Sequence, residues 1–289
     1  MPGHSGDGER KVVGNMHLVP WSVSALDYEP CRYGASKLLF RGPKKTLSDP
    51  YVACIGSSET YGKFVRTPFA ETLGHSLGCT SVNLGVHNAG LDAFLQDESA
   101  MSVAGRAGAV VVQVMGAAAL STQFYVVHPR RNDRFLQASP MMARLFPEVD
   151  FSEYSFIQHL LGDLRRQWPD RFSAVEQDIQ STWVTKMARL LTRLGPHCVL
   201  LWLADTPPPK RAEPFARPDF VTADMVAKVM PLAAEYVEVV TPQAFLPTRR
   251  EGMHYLPHET AAADVMPGSQ MHRYAADHLA PSVARVLQH

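Results

Sequence analysis

Two adjacent serines, a late histidine and a run of arginines are the residues best placed by type and spacing to do chemistry in this chain. Ser57 and Ser58 stand where the apolar run Tyr51-Val52-Ala53-Cys54-Ile55 breaks into Gly56-Ser57-Ser58-Glu59-Thr60. A buried strand followed at once by glycine and hydroxyl residues presents a nucleophile at the carboxyl edge of an α/β sheet, and the same pattern also suits a serine that caps the next helix. His272 follows Pro267-Gly268-Ser269-Gln270-Met271 and is expected just before a final helix. If it reaches Ser58, it takes the hydroxyl proton and the chemistry is acyl transfer.

A second turn, Asn83-Leu84-Gly85-Val86-His87-Asn88-Ala89-Gly90, has glycines that let the backbone bend and aim amide groups at a ligand. The amides of Ser58 and Gly85 are the expected oxyanion donors. Asn88, on the same turn, is read as a turn residue with positive φ unless it serves as a side-chain donor, a role taken up below.

The segment His128-Pro129-Arg130-Arg131-Asn132-Asp133-Arg134 is the dense basic cluster of the chain. Paired arginines suit bidentate binding of sulfate, phosphate or carboxylate, so His128, Arg130, Arg131 and Arg134, with Ser57, are the candidate substrate-binding residues. A solvated loop, or an ion pair to Asp133, is the alternative. His254 and His258 have metal-pair spacing, but Pro257 interrupts the helix that pairing needs, and no metal is expected. No Gly-x-Gly-x-x-Gly opens a helix after a strand, so no dinucleotide or other organic cofactor is expected.

These residues need a scaffold, and the chain is long enough to build one. Its 289 residues, 46% apolar, can bury one sizeable core. Its 28 basic residues balance 28 acidic ones, which gives no general attraction to nucleic acid or anionic membrane and favours a small molecule as partner. Cys31, Cys54, Cys79 and Cys198 are dispersed and form no CxxC pair, which fits a reducing compartment. Met1 to Asn15 lacks the apolar core of a signal peptide, and no apolar run approaches the ~20 residues that span a bilayer, so a soluble cytoplasmic protein is expected.

Strand-like runs at 51–56, 80–85, 109–115, 197–204 and 236–240 alternate with helical periods, the pattern of a five-stranded, largely parallel sheet between two helical layers. Residues 1–48, with Trp21, Tyr28 and Tyr33, read as an extension packed on the main domain, 49–289. An insertion at about 128–195 carries two amphipathic helices. Tyr154, Ile157, Leu161, Leu164 and Trp168 mark one buried face; Phe172, Val175, Ile179, Trp183, Met187, Leu190 and Leu194 mark the other. Gly195-Pro196 ends the second helix. The fourth strand runs into the stiff loop Asp205-Thr206-Pro207-Pro208-Pro209, with Pro214 and Pro218 beyond it. Tyr274, Ala275, Leu279, Val283 and Val286 give the last helix its apolar face.

Over roughly residues 50–289 this layout resembles the SGNH, or GDSL-type, hydrolases. Gly56-Ser57-Ser58-Glu59-Thr60 matches their first motif with Ser57 in place of Asp, Asn83-Leu84-Gly85 their second, and His272 their catalytic histidine. The resemblance implies a flavodoxin-like α/β/α fold and a serine esterase or acyl-transfer enzyme, with acylated carbohydrates among its substrates. Two positions depart from it: Ala118 stands where the family has an oxyanion-binding Asn, and Ser269 where it has the Asp that orients the histidine. Asn88 is a candidate for the first role, and Asp264 or Asp277 for the second. The rival reading is a catalytically degenerate relative that binds an anionic glycan or metabolite. The stretch Val127 to Leu136 is also similar to an uncharacterised bacterial domain family of unknown function.

Overall fold

The computed structural model describes residues 26–47, 50–212 and 217–288. The polar start, Trp21 and Pro214 lie outside the described residues. Seven strands form among the described residues: β1 (Tyr51–Gly56), β2 (Thr80–Gly85), β3 (Ala109–Gln113), β4 (Tyr125–Val127), β5 (Phe135–Ala138), β6 (Cys198–Ala204) and β7 (Glu235–Val240). The helices are α1 (Ser58–Tyr61), α2 (Phe69–Leu77), α3 (Leu91–Leu95), α4 (Glu98–Gly105), α5 (Pro140–Leu145), α6 (Ile157–Gln167), α7 (Pro169–Leu194), α8 (Ala223–Val229), α9 (Thr260–Ala263) and α10 (Ser269–Leu287).

The five apolar runs pair in the order β2-β1-β3-β6-β7, and every pairing is parallel. Parallel strands need crossovers, so helices cover both faces and the strands are buried on both sides. Alternation along each strand then divides the core in two. Tyr51, Ala53, Ile55, Val110, Val112, Leu200 and Trp202 pack with the α3, α4, α7 and α8 side. Val52, Cys54, Ala109, Val111, Val199 and Leu201 pack against Phe69 and Leu73 of α2 and Ala275, Leu279 and Val283 of α10. The result is a three-layer α/β/α arrangement, with the turns after β1, β2, β3 and β6 at the carboxyl edge of the sheet.

The insertion's two amphipathic helices are α6 and α7, and the seven-residue stripe from Phe172 to Leu194 is buried along α7. Each such side chain contributes about 1.5–3 kcal/mol relative to exposure to water. Ahead of them lies a β4–β5 hairpin that the sequence reading did not anticipate, and the basic cluster is its connection. Tyr154 and Trp168 fall just outside the helices rather than on their faces.

The segment 26–47 is held to the main domain by the buried Tyr33, Leu38 and Phe40, by hydrogen bonds of Ser36 and Lys37 to Asp97, and by the buried cation Arg41. Arg41 Nη1 donates to the carbonyls of Tyr61 (3.3 Å) and Gly62 (3.0 Å), and Nη2 to those of Val65 (3.0 Å) and Arg66 (2.7 Å). These carbonyls lie at and just beyond the end of α1, where helix-terminal groups need donors from outside the helix. The guanidinium also lies 4.9 Å from the Tyr28 ring centroid.

Candidate functional site

Ser58 is fixed from below by a glutamine. β1 ends at Gly56, Ser57 is extended, and Ser58 opens the single turn of α1, where it is buried. Gln113, the last residue of β3, accepts through Oε1 from Ser57 N (3.1 Å), Thr60 N (3.2 Å) and Thr60 Oγ1 (2.6 Å). Its Nε2 donates to Glu59 Oε2 at 3.0 Å. One amide side chain therefore satisfies the turn that carries the serine, which a buried turn requires.

The loop after β2 supplies the partners of the hydroxyl. Ser58 Oγ lies 2.8 Å from His87 Nδ1 and 3.3 Å from Asn88 Oδ1, and it accepts from Asn88 N at 3.0 Å. Asn88 adopts φ 56°, the turn conformation, which swings its backbone amide toward Ser58. Its side chain does not face the hydroxyl as a free donor, because Nδ2 donates to Asp133 Oδ2 at 3.1 Å. Lys63 Nζ stands 3.5 Å from His87 Nε2. Burial, and then the Lys63 charge, lower the His87 pKa to about 4 against the opposing pull of Asp133, Glu59 and Glu259, so the ring is neutral at pH 7.

His272 lies elsewhere in the fold. It sits inside the first turns of α10 rather than before the helix, wholly buried between α10 and α2. Its Nδ1 accepts from Phe69 N at 3.1 Å, and its ring stacks on Phe69 with centroids 6.0 Å apart. Nε2 has no hydrogen-bond partner among the described residues, so His272 and Ser58 are not in hydrogen-bond contact. Burial, with a smaller effect of Arg41, lowers its pKa to about 3. Neither candidate carboxylate orients it: Asp264 pairs with Arg250 at 3.3 Å, and Asp277 is exposed on α10.

The Gly85 amide is also committed, since it donates to Asn83 Oδ1 at 2.8 Å. Glycine is required there for space: a Cβ would strike the backbone of Thr60 and Tyr61 where α1 crosses the end of β2. Ala118, at the position of the family Asn, is buried, and its carbonyl accepts from Tyr125 Oη at 2.9 Å.

Ser57 and Ser58 open onto a cavity of about 330 Å³ that also receives Asn88, Gln113, Asp133 and Asp219. Asp133 Oδ1 is buried without a partner among the described residues. Asp219 occupies the space that a side chain at position 116 would fill, and Gln158 Nε2 donates to it at 3.2 Å. Burial raises the Asp219 pKa. Glu59 reaches toward Arg217 at 3.5 Å.

The basic cluster divides in two. Arg134 lies over the Phe156 ring at 3.9 Å, with its Nε 4.0 Å from Asp133. His128, Arg130 and Arg131 face away from the cavity into a neighbouring cleft. Among the described residues, no group of three His, Cys, Asp or Glu side chains is placed to hold a metal ion, and no helix is long and apolar enough to cross a membrane.

His87, Gln113, Asp133 and Asp219 are the site residues that the sequence reading did not select. Gln113 had a signal, as a lone polar residue in the apolar run Val110 to Met115. His87 had only its place in the second turn.

Fold and site together define an α/β/α protein with flavodoxin-like strand order and a serine–histidine contact at the carboxyl edge of the sheet. The chain belongs to the family described as Domain of unknown function (DUF6473), whose model matches residues 16–287. Among solved structures it is similar to the lipase Lip_vut3 from a goat rumen metagenome, at 12% identity and a TM-score of 0.41, over 81% of this chain and 97% of that one. No curated protein matches the chain in sequence.

Proposed function

We propose that this protein is a serine acyl-transfer enzyme that cleaves acyl esters, with Ser58 as nucleophile and His87, rather than His272, as proton acceptor. The 2.8 Å contact between Ser58 Oγ and His87 Nδ1, with Ser58 in the wall of the cavity, carries this reading. A neutral imidazole within hydrogen-bond reach of a hydroxyl is the arrangement that general-base activation needs.

Activation uses the tautomer with the His87 proton on Nε2, which gives up the contact with the Lys63 ammonium at that nitrogen and leaves Nδ1 to accept from Ser58. Ser58 Oγ attacks the ester carbonyl carbon as its proton passes to Nδ1. The bond to the leaving oxygen breaks, and His87 returns the proton to that oxygen. Water, or an acceptor hydroxyl, then releases the acyl group by the reverse route. The Asn88 amide, 3.0 Å from Oγ, stabilises the charge that develops there as the proton leaves. With the Gly85 amide occupied, the Ser58 amide at the open start of α1 is the proposed oxyanion donor.

The cavity's carboxylates and amides, Glu59, Asp133, Asp219, Gln113 and Gln158, suit a ligand rich in hydroxyl groups, which supports an acylated carbohydrate as substrate. The test is hydrolysis of short p-nitrophenyl esters and acetylated sugars, with labelling by a fluorophosphonate read out by peptide mass spectrometry. Wild-type protein labelled on Ser58, and activity lost in Ser58→Ala but mostly retained in Ser57→Ala, is the expected result. Equal activity in wild type and Ser58→Ala rejects the role. The occupied Gly85 amide favours a second reading, a non-catalytic binder of hydroxylated ligands, and sugar binding without labelling or turnover would select it.

A further inference from the structure

A cleft of about 570 Å³ lies on the other side of His87 from the Ser58 cavity. Its charged side chains come from two separate parts of the chain. Arg32 and Lys37 belong to the segment 26–47, and Arg130 and Arg131 to the β4–β5 connection. All four are exposed, and among the described residues none of their side chains makes an ion pair or a hydrogen bond. Other arginines, such as Arg193, Arg249 and Arg285, reach carboxylates at 2.7, 2.7 and 2.6 Å.

His128 adds a donor to the same cleft. Its Nδ1 accepts from both Arg130 N and Arg131 N at 3.2 Å. A neutral imidazole that accepts at one nitrogen carries its proton on the other, so Nε2 is left to donate. The hairpin connection that presents these groups is anchored from inside. Buried Asn132 accepts from Gly90 N at 2.7 Å and Ala93 N at 3.3 Å, and donates to His128 O at 3.0 Å. Its register is therefore set, and solvation alone does not account for where the arginines stand.

In a chain with no net charge, four uncompensated cations around one cleft are a local field that an anion relieves. Two adjacent guanidinium groups and an ammonium match the several acceptor oxygens of a tetrahedral oxyanion. The remaining surface, which includes Leu38, Leu39 and Val86, offers apolar contact to the body that carries it.

We propose that this cleft binds the phosphate or sulfate group of the substrate, so that the esters processed at Ser58 are those of phosphorylated or sulfated carbohydrates. The inference rests on the Ser58 reading for the word substrate; the anion site itself does not. His87 belongs to the wall of the cleft and also touches Ser58, so an anion anchored here lies one imidazole ring from the nucleophile.

The experiment titrates glucose 6-phosphate, glucose 6-sulfate and glucose into the Ser58→Ala protein by calorimetry at fixed ionic strength. Both charged sugars are expected to bind and glucose much more weakly. Arg130→Ala/Arg131→Ala and Arg32→Ala/Lys37→Ala should each weaken the charged sugars by about tenfold or more. Arg144→Ala, at an exposed arginine of α5, should leave binding unchanged. Arg130→Lys/Arg131→Lys keeps the charge and removes the fork, and a bidentate site loses affinity on that change. Thermal melts of each variant establish that it is folded. No binding by the parent, binding indifferent to the cleft variants, or an equal loss in Arg144→Ala overturns the proposal. Because the parent is already Ser58→Ala, none of these outcomes depends on whether Ser58 is a nucleophile.

Discussion

Replacing His272 by Gln separates the two places a catalytic histidine could stand. The wild-type ring accepts one amide hydrogen bond, is 1% exposed, and has its pKa lowered to about 3. In the unfolded chain its pKa returns to about 6.5, so between these values the unfolded state binds the extra proton and folding loses stability as pH falls. From pH 7 to pH 5 the loss from this residue alone is about 2 kcal/mol. Gln keeps an acceptor for Phe69 N and cannot titrate. Urea unfolding of both proteins at the two pH values should therefore give a stability difference that shifts by about 2 kcal/mol in favour of the variant at pH 5. Every other titrating group is common to both proteins and cancels. Under the proposed function the variant should also keep most of whatever ester turnover the wild type shows, because His272 touches α2 rather than Ser58. Parallel pH dependences would refute the burial argument, and loss of turnover in a stably folded His272→Gln protein would return the catalytic role to this position.

His87→Gln should lower kcat by at least about a hundredfold with little change in KM, since general-base assistance is lost while the cavity is kept. In the wild type, kcat/KM should fall as pH drops through about 4 and stay level above it, because His87 accepts a proton only when neutral; a half-maximum near pH 6.5 would show an ordinary solvated imidazole instead. Gln113→Leu strips the acceptor from Ser57 N, Thr60 N and Thr60 Oγ1 and should cost at least about 2 kcal/mol in urea unfolding, with a value under 0.5 counting against its role as the pin of the turn.

The sheet was legible because its strands are buried on both faces. Runs such as Tyr51 to Ile55 and Cys198 to Leu203 have no polar side to confuse the period, and long stripes such as that of α7 leave no other reading. The β4–β5 hairpin escaped notice because two short strands separated by charged residues carry little pattern, and most of what fixes them comes from afar, as when Asn132 ties their connection to Gly90. The candidate site was half legible. Ser58 and the turn after β2 were found from their places at strand ends, and Asn88 has the positive φ of a turn residue. Which histidine meets the serine depends on how Asn88 bends the loop and on how closely α10 packs on α2, two tertiary outcomes that motif spacing does not encode. The Gly85 amide was misassigned for a similar reason: its acceptor, Asn83 Oδ1, is a side chain two residues away whose rotamer no linear pattern reveals.

Arg41 joins two kinds of inheritance. The turn of Ser58 follows a strand of the sheet, while one bank of the cationic cleft belongs to the segment that Arg41 ties to it through four carbonyls. On the proposed reading, chemistry and selectivity lie on separate stretches of chain that Arg41 helps to join. A relative could exchange Arg32 and Lys37 for other side chains and turn to a different class of molecule without disturbing any atom around Ser58. The same contact sets a limit on dissection, because a fragment cut to begin at the first strand would strip the Arg41 donors from the carbonyls of Tyr61, Gly62, Val65 and Arg66, close behind Ser58.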